Sequence, residues 1–312
     1  MIKTNHLSKY FGSLRAVDDV SFEIVGGECI GLLGLNGAGK TTLLRMLTSQ
    51  LAPTAGSAAI DGLDVASGDL AVRRRLGFLP EVPPLYGEMR VNRFLDFAAR
   101  LREVPAGEVA GRVERAVERC QLQAVTDQRI ATLSYGYKKR VGIAQAIVHQ
   151  PPLVVLDEPI AGLDPAQIVE MRDLIRHLRG PHTVLLSSHI LSEISQTCDR
   201  ILVMHRGRIA AQGSEAELLG SLAQKRRLLL RIEGDGAQAA ELLGGLDGVE
   251  SVEPGPEDGR GAALLLTTST DVRAAAARKV VEAGLGLLEL AEQRDDLESV
   301  FLRLTGSREV ES

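Results

Sequence analysis

An apolar run from Cys29 to Leu33 passes without a break into Gly34-Leu35-Asn36-Gly37-Ala38-Gly39-Lys40-Thr41-Thr42, and leucines at helical spacing follow at Leu43, Leu44 and Leu47. No other stretch of the chain restricts its fold as tightly. A buried strand must hand over to a helix across a loop whose glycines let backbone N–H groups converge, where a Cβ would collide or demand an unfavourable φ. Strand, glycine loop and helix in this order form the context in which such a loop cradles phosphates. Lys40 then offers a positive charge to the outer phosphates, Thr41 a hydroxyl to magnesium, and the helix start its positive dipole end.

A second apolar run, Leu153 to Leu156, ends in Asp157-Glu158. A strand terminus presents such carboxylates beside the loop that follows a neighbouring strand, where a magnesium nucleotide would sit. Asp157 is expected to hold the ion through water and Glu158 to orient the attacking water; as an isolated pair they would be two solvated acids closing a strand. Further strands are expected at residues 2–8, 21–25, 183–187 and 201–204, with an arginine-rich, mostly helical stretch from 85 to 149. Asp164-Pro165 reads as an N-cap and first-turn pair opening a helix to Leu178. Strands alternating with helices imply an α/β core with mostly parallel central strands. From 222 to 312 the pattern changes to β-α-β-β-α-β, the order of a small ferredoxin-like α+β unit, with one more helix expected at Asp295 to Leu304.

Composition narrows the function. A net charge of −5 gives no overall basic field, and 3% aromatics leave few stacking platforms, so no nucleic-acid partner is expected. Cys29, Cys120 and Cys198 are scattered, which suggests reduced thiols in a cytosolic protein rather than a zinc site or disulfides. No run approaches the ~20 continuous apolar residues that span a bilayer. Met1 to Tyr10 mixes polar and apolar residues, unlike an export signal.

Between the two phosphate-site motifs lies Leu133-Ser134-Tyr135-Gly136-Tyr137. With it the chain resembles the ATP-binding subunits of ABC transporters over roughly residues 1–220. The resemblance implies an α/β P-loop NTPase cassette with a mostly parallel core sheet, an antiparallel β subdomain and a helical insertion, here 85–149. It implies ATP and Mg2+ as ligands and a head-to-tail dimer. Each signature loop there caps the nucleotide held by the other chain, so Ser134 and Gly136 would face the partner's ATP. It also implies that Phe11 stacks on adenine, that Asp164 lies in the loop crossing the interface, and that His189 contacts the terminal phosphate. A separate integral membrane permease is implied too, which would place this chain in the cytoplasm, peripheral on the inner face of the membrane.

Two positions depart from the commonest pattern of that family. Glu81 stands where most members carry a glutamine that contacts magnesium. It adds a negative charge beside Asp157 and Glu158, roughly 3 kcal/mol of repulsion at ~5 Å and an effective dielectric near 20, before any metal offsets it. Nucleotide closure is therefore expected to be unusually magnesium-dependent. Tyr135 and Tyr137 replace a glycine and a glutamine, which is similar to the ATPases of type-two exporters with a C-terminal extension, including gliding-motility and drug-export subunits. A soluble ABC ATPase acting on a macromolecular assembly is the alternative. Ribosome-acting members carry two cassettes on one chain, whereas one phosphate loop is found here. DNA-repair members place a long coiled coil between phosphate loop and Asp-Glu strand, and here that gap is about a hundred residues.

Overall fold

The computed structural model describes residues 1–67, 70–222, 226–256 and 261–293, which fall into two compact units, Met1–Glu215 and the stretch from Ala216 onward. The first unit opens with the antiparallel ribbon β1 (Ile2–Phe11) and β2 (Leu14–Ile24), turned at Gly12 with φ 61°. Both strands are longer than expected from the sequence. The register shifts after Thr4 and after Leu7, and His6 and Asp19 sit at φ 49° and 58°, so bulges break the two-residue alternation by which a strand is read.

The fully buried β3 (Cys29–Leu33) follows, then α1 (Lys40–Leu47). β4 (Ala55–Ile60) and β5 (Leu63–Asp64) complete a four-stranded antiparallel sheet ordered β2-β1-β4-β5. A short α2 (Leu70–Arg74) leads to β6 (Leu76–Leu79). The insertion consists of α3 (Val91–Leu101), α4 (Val109–Arg119) and α5 (Tyr135–Ile147). The chain then runs through β7 (Leu153–Asp157), α6 (Pro165–Leu178), β8 (Thr183–Ser188), α7 (Leu191–Ser195), β9 (Arg200–His205) and β10 (Arg208–Gly213). Asp164 does cap α6, its carboxylate accepting from the Gln167 N–H at 2.9 Å.

The central sheet has the order β10-β9-β3-β8-β7-β6, parallel except for the edge strand β10. Every residue of β3, β7 and β8 is buried, which explains why β3 and the first four residues of β7 read as unbroken apolar runs. Parallel alignment also brings the carboxyl ends of β3, β8, β7 and β6 side by side, with Leu33 opposite Ser188, Asp157 opposite Ser187 and Leu79 opposite Leu156. The glycine loop, His189, Asp157-Glu158 and Glu81 all leave the sheet at that one edge.

The cysteines are less scattered than the sequence suggests. Cys29 and Cys198 place their sulfurs 3.8 Å apart as free thiols, and burial pushes the Cys198 thiol well up. Burial also pushes the Cys120 thiol up to about 12, so it remains protonated.

Two histidines pack neutral near the opposite, amino-terminal edge of the sheet. His149 Nε2 donates to the Leu76 carbonyl at 3.2 Å and burial lowers its pKa to about 4; His182, lowered likewise by burial, donates from Nδ1 to the Pro151 carbonyl. An unfolded histidine takes a proton near 6.5. The stabilising effect of a neutral His149 is therefore complete above pH 6.5 and is lost as pH falls toward 4, about 2 kcal/mol once its partial exposure is allowed for. His149→Gln should flatten the fall of the urea midpoint between pH 6.5 and 4. Parallel curves for the two proteins would remove His149 as the cause.

Helix α8 (Glu215–Leu222) begins at the boundary, and the second unit continues with β11 (Arg226–Glu233), α9 (Gly236–Gly244), β12 (Val249–Pro254), β13 (Ala262–Thr268), α10 (Arg273–Glu282) and β14 (Gly286–Gln293). The β-α-β-β-α-β order is as expected, and the sheet is antiparallel throughout, ordered β12-β13-β11-β14. Leu228, Leu230, Ile232, Leu264 and Leu266 form its core with Ala239 and Leu243 of α9 and Ala276 and Val280 of α10. Asp235 caps α9 through the Ala237 and Gln238 N–H groups. The helix expected at Asp295 to Leu304 lies outside the described residues.

Candidate functional site

The glycine loop between β3 and α1 has the backbone that its composition foretells. Gly37 and Gly39 adopt φ 81° and 104°, and a Cβ on Gly39 would stand 2.2 Å from the Ala16 carbonyl oxygen. Gly34 is equally confined, since its Cβ would lie 2.6 Å from the Met204 carbonyl oxygen. Helix α1 starts with no side-chain cap and no acid in its first turn, so its N–H groups and positive dipole end are left for an anion. Lys40 is buried, donates from Nζ to the Gly34 carbonyl at 2.7 Å, and lies 3.4 Å from Glu158 Oε1.

The two acids at the end of β7 are held differently. Asp157 is buried and accepts from Ser187 Oγ at 2.6 Å; that oxygen in turn accepts from the Glu158 N–H at 3.0 Å. Glu158 is 8% exposed and adopts φ 47°, a left-handed conformation rare for glutamate and typical of strained functional positions. Its carboxylate lies between Lys40 and His189, with Nδ1 of His189 3.0 Å from Oε2. The turn that presents His189 is anchored beneath by Glu193: this buried side chain accepts from Ser188 Oγ at 2.6 Å, and burial raises its pKa.

A cleft of about 600 Å³ is lined by the loop residues Asn36 to Thr42, Glu158, His189 and Glu81, while Asp157 is buried and is not part of its lining. Phe11 stands at its mouth, 50% exposed, and so is not a core phenylalanine. Glu81 is exposed on the rim, where its expected repulsion with the two buried acids is opposed by a residue the sequence reading missed. Lys139 of α5 is 0% exposed and donates to the backbone carbonyls of both Glu81, at 2.7 Å, and Glu158, at 3.0 Å. Burial pushes its pKa down, and the carboxylates of Glu81, Asp157 and Glu158 push it back up.

Ser134 and Gly136 do not join that cleft. Ser134 caps α5, accepting from the Tyr137 N–H at 3.4 Å, and both residues line a separate hollow with Arg140 and Gln167. Gly136 stands against the end of the Gln167 side chain, where a Cβ would come within 2.7 Å of Oε1. The buried Arg140, paired with Glu170 and Gln121, puts a cation under this hollow. Thus one chain carries two separate hollows whose lining residues do not overlap. Among the described residues no group of three or more His, Cys, Asp or Glu side chains forms a metal cage. The Thr41 hydroxyl and the Asp157 carboxylate are hard oxygen donors of the kind magnesium takes alongside waters and phosphate oxygens.

The family model described as ABC transporter matches residues 17–161. The bacitracin transport ATP-binding protein BcrA of Bacillus licheniformis is 32% identical over 309 residues, covering 98% of this chain and 97% of that protein. The chain belongs to the ABC transporter ATP-binding proteins. This ABC ATPase is also 34% identical to the daunorubicin resistance ATP-binding protein DrrA3 of Streptomyces coeruleorubidus, over 98% and 96% of the two chains. The solved structure of cbiO1 from Clostridium perfringens, part of the ABC transporter complex cbiONQ, superposes with a TM-score of 0.64 at 28% identity, covering 71% of this chain and 93% of that one. Among the described residues of this ABC ATPase no helix is long and apolar enough to cross a membrane.

Proposed function

We propose that this ATPase subunit drives export by clamping MgATP between two copies of itself and passing closure to a separate integral membrane permease. The observation that carries this reading is the division of the site. The Lys40–Glu158–His189 group lines one cleft and Ser134 with Gly136 lines another, so a complete pocket requires a second chain. In that pocket the glycine loop, Lys40 and α1 hold the phosphates, Phe11 stacks on adenine, and Thr41, Asp157 and Glu81 serve magnesium. The triphosphate competes with Glu158 for the Lys40 ammonium. Once released, Glu158 orients the attacking water, and His189 keeps both in line with the terminal phosphate. The partner's Ser134 and Gly136 close the pocket from the other side, and Asp164 lies in the loop between the two sites.

The export direction rests on likeness to proteins named for bacitracin transport and daunorubicin resistance along nearly the whole chain. We assign the permease contact to the 80–89 segment and the insertion surface; a groove of about 470 Å³ there, with Tyr86, Phe97 and Leu101 exposed, supports this. The chain would then work from the cytoplasm, on the inner face of the membrane. We assign 1–221 to the cassette, with its insertion at 85–149, and 222–312 to an accessory domain. The strand order β12-β13-β11-β14 supports a ferredoxin-like topology for that domain.

The test is to purify the full-length chain from membranes. A polytopic membrane subunit should come with it, and ATP hydrolysis should require magnesium. Purification without such a subunit, as with a partner-free or ribosome-bound ATPase, would overturn the transport reading. Within the same assay Glu81→Gln should lower the magnesium needed for ATP-driven dimerisation. Superimposable titrations would remove Glu81 from the metal's surroundings.

A further inference from the structure

We propose that Lys139 is a positioning residue that ties the helix sensing the partner's nucleotide to the catalytic glutamate of its own chain; this rests on the dimeric reading above. Helix α5 begins at Ser134, which faces the neighbouring chain's ATP in that reading. Further along the same helix the fully buried Lys139 spends its ammonium on two backbone carbonyls of other segments, those of Glu81 and Glu158. Two more contacts show how closely α5 engages its surroundings, one with the 79–83 segment and one with the interface loop. A Cβ on Gly142 would meet Leu79 Cδ1 at 2.5 Å and Pro83 at 3.1 Å, so helix and 79–83 segment touch at a glycine. The Tyr135 ring stands against Gly162 of the interface loop, 3.1 Å from where a Cβ would be, and Lys139 Nζ lies 5.5 Å from that ring's centroid.

The reason to assign Lys139 a role in geometry is the backbone of Glu158. A glutamate at φ 47° persists only where surrounding groups over-determine it. Its N–H is fixed by Ser187 Oγ and its carbonyl by Lys139, one hold from the sheet and one from the signature helix. A shift of α5 on capping the partner's ATP is therefore felt at the peptide that aims the Glu158 carboxylate. Lys139 touches neither water nor phosphate in this scheme; it acts through Glu158 and the 79–83 segment.

The experiment compares full-length wild type, Lys139→Met and Lys139→Arg for steady-state ATP hydrolysis and for ATP-driven dimerisation by light scattering. Misplacing a catalytic group by about an ångström can lower turnover by ~10²-fold. Lys139→Met is expected to lower kcat by ~10- to 100-fold with half-saturating ATP for dimerisation within about twofold of wild type, so that an ATP-bound dimer accumulates. Lys139→Arg, which keeps the charge and can still donate to the two carbonyls, should recover part of the rate. Should Lys139→Met not fold, Lys139→Gln, with one amide donor left, takes its place. Unchanged kcat, or parallel loss of dimerisation and hydrolysis as for a Ser134 variant, would overturn the inference. A wild-type chain that neither dimerised nor hydrolysed ATP would instead refute the underlying dimeric reading.

Discussion

Glu158→Gln is expected to slow ATP hydrolysis by ~10²- to 10⁴-fold while ATP binding survives, the range for removal of a positioned general base. The amide keeps the size of the side chain and one oxygen, so the pocket's shape is preserved. It loses the negative charge that polarises water and that faces Lys40 at 3.4 Å and His189 at 3.0 Å. Lys40 is then free of its carboxylate competitor, which should strengthen the hold on triphosphate. The substituted chain should therefore collect as an ATP-bound dimer that persists through gel filtration. Turnover within tenfold of wild type would mean that another group activates the water.

Lys40→Met is expected to fail at the earlier step. Truncating one partner of a buried charge pair typically costs ~2–5 kcal/mol, which here corresponds to MgATP binding weakened by roughly 30- to several-thousand-fold. The loss arises because a buried ammonium with 7% side-chain exposure is replaced by a thioether that cannot neutralise phosphate, and because Glu158 then meets the triphosphate unopposed. Fluorescent-nucleotide titration separates this outcome from that of Glu158→Gln. Affinity within threefold of wild type would assign phosphate neutralisation to other groups.

How much of this was legible in the sequence depends on whether a residue's task is local. The passage from β3 through the glycine loop to α1 is, since apolar run, φ-permissive glycines and leucine spacing are all neighbours in the chain. So are the caps at Asp164 and Ser134, whose partners lie three residues on. The bulged β1–β2 ribbon was read too short, because irregular pairing hides the alternation that marks a strand. β4, with its run of small residues, and the four-residue β6 gave no pattern to read.

Lys139 was missed for a different reason. In Lys138-Lys139-Arg140 it reads as one of three solvated cations, yet Lys139 and Arg140 are both buried and point to different partners. The available signal was helical phase: Lys139 lies three residues after Gly136 and four before Ile143, both buried on that same side of α5. Ser187 was likewise invisible, because its partners Asp157 and Glu158 are reached only when β7 and β8 pair in the sheet.

The decisive measurement is hydrolysis by mixed dimers of a Lys40→Met chain and a Ser134→Arg chain, each inactive as a homodimer. In the mixture one pocket is assembled from the intact lysine of one chain and the intact serine of the other, and about half the wild-type sites should turn over in the fraction that is mixed. A mixture as inactive as either homodimer, or a strictly monomeric wild-type chain hydrolysing ATP at the full rate, would contradict a nucleotide shared between two chains.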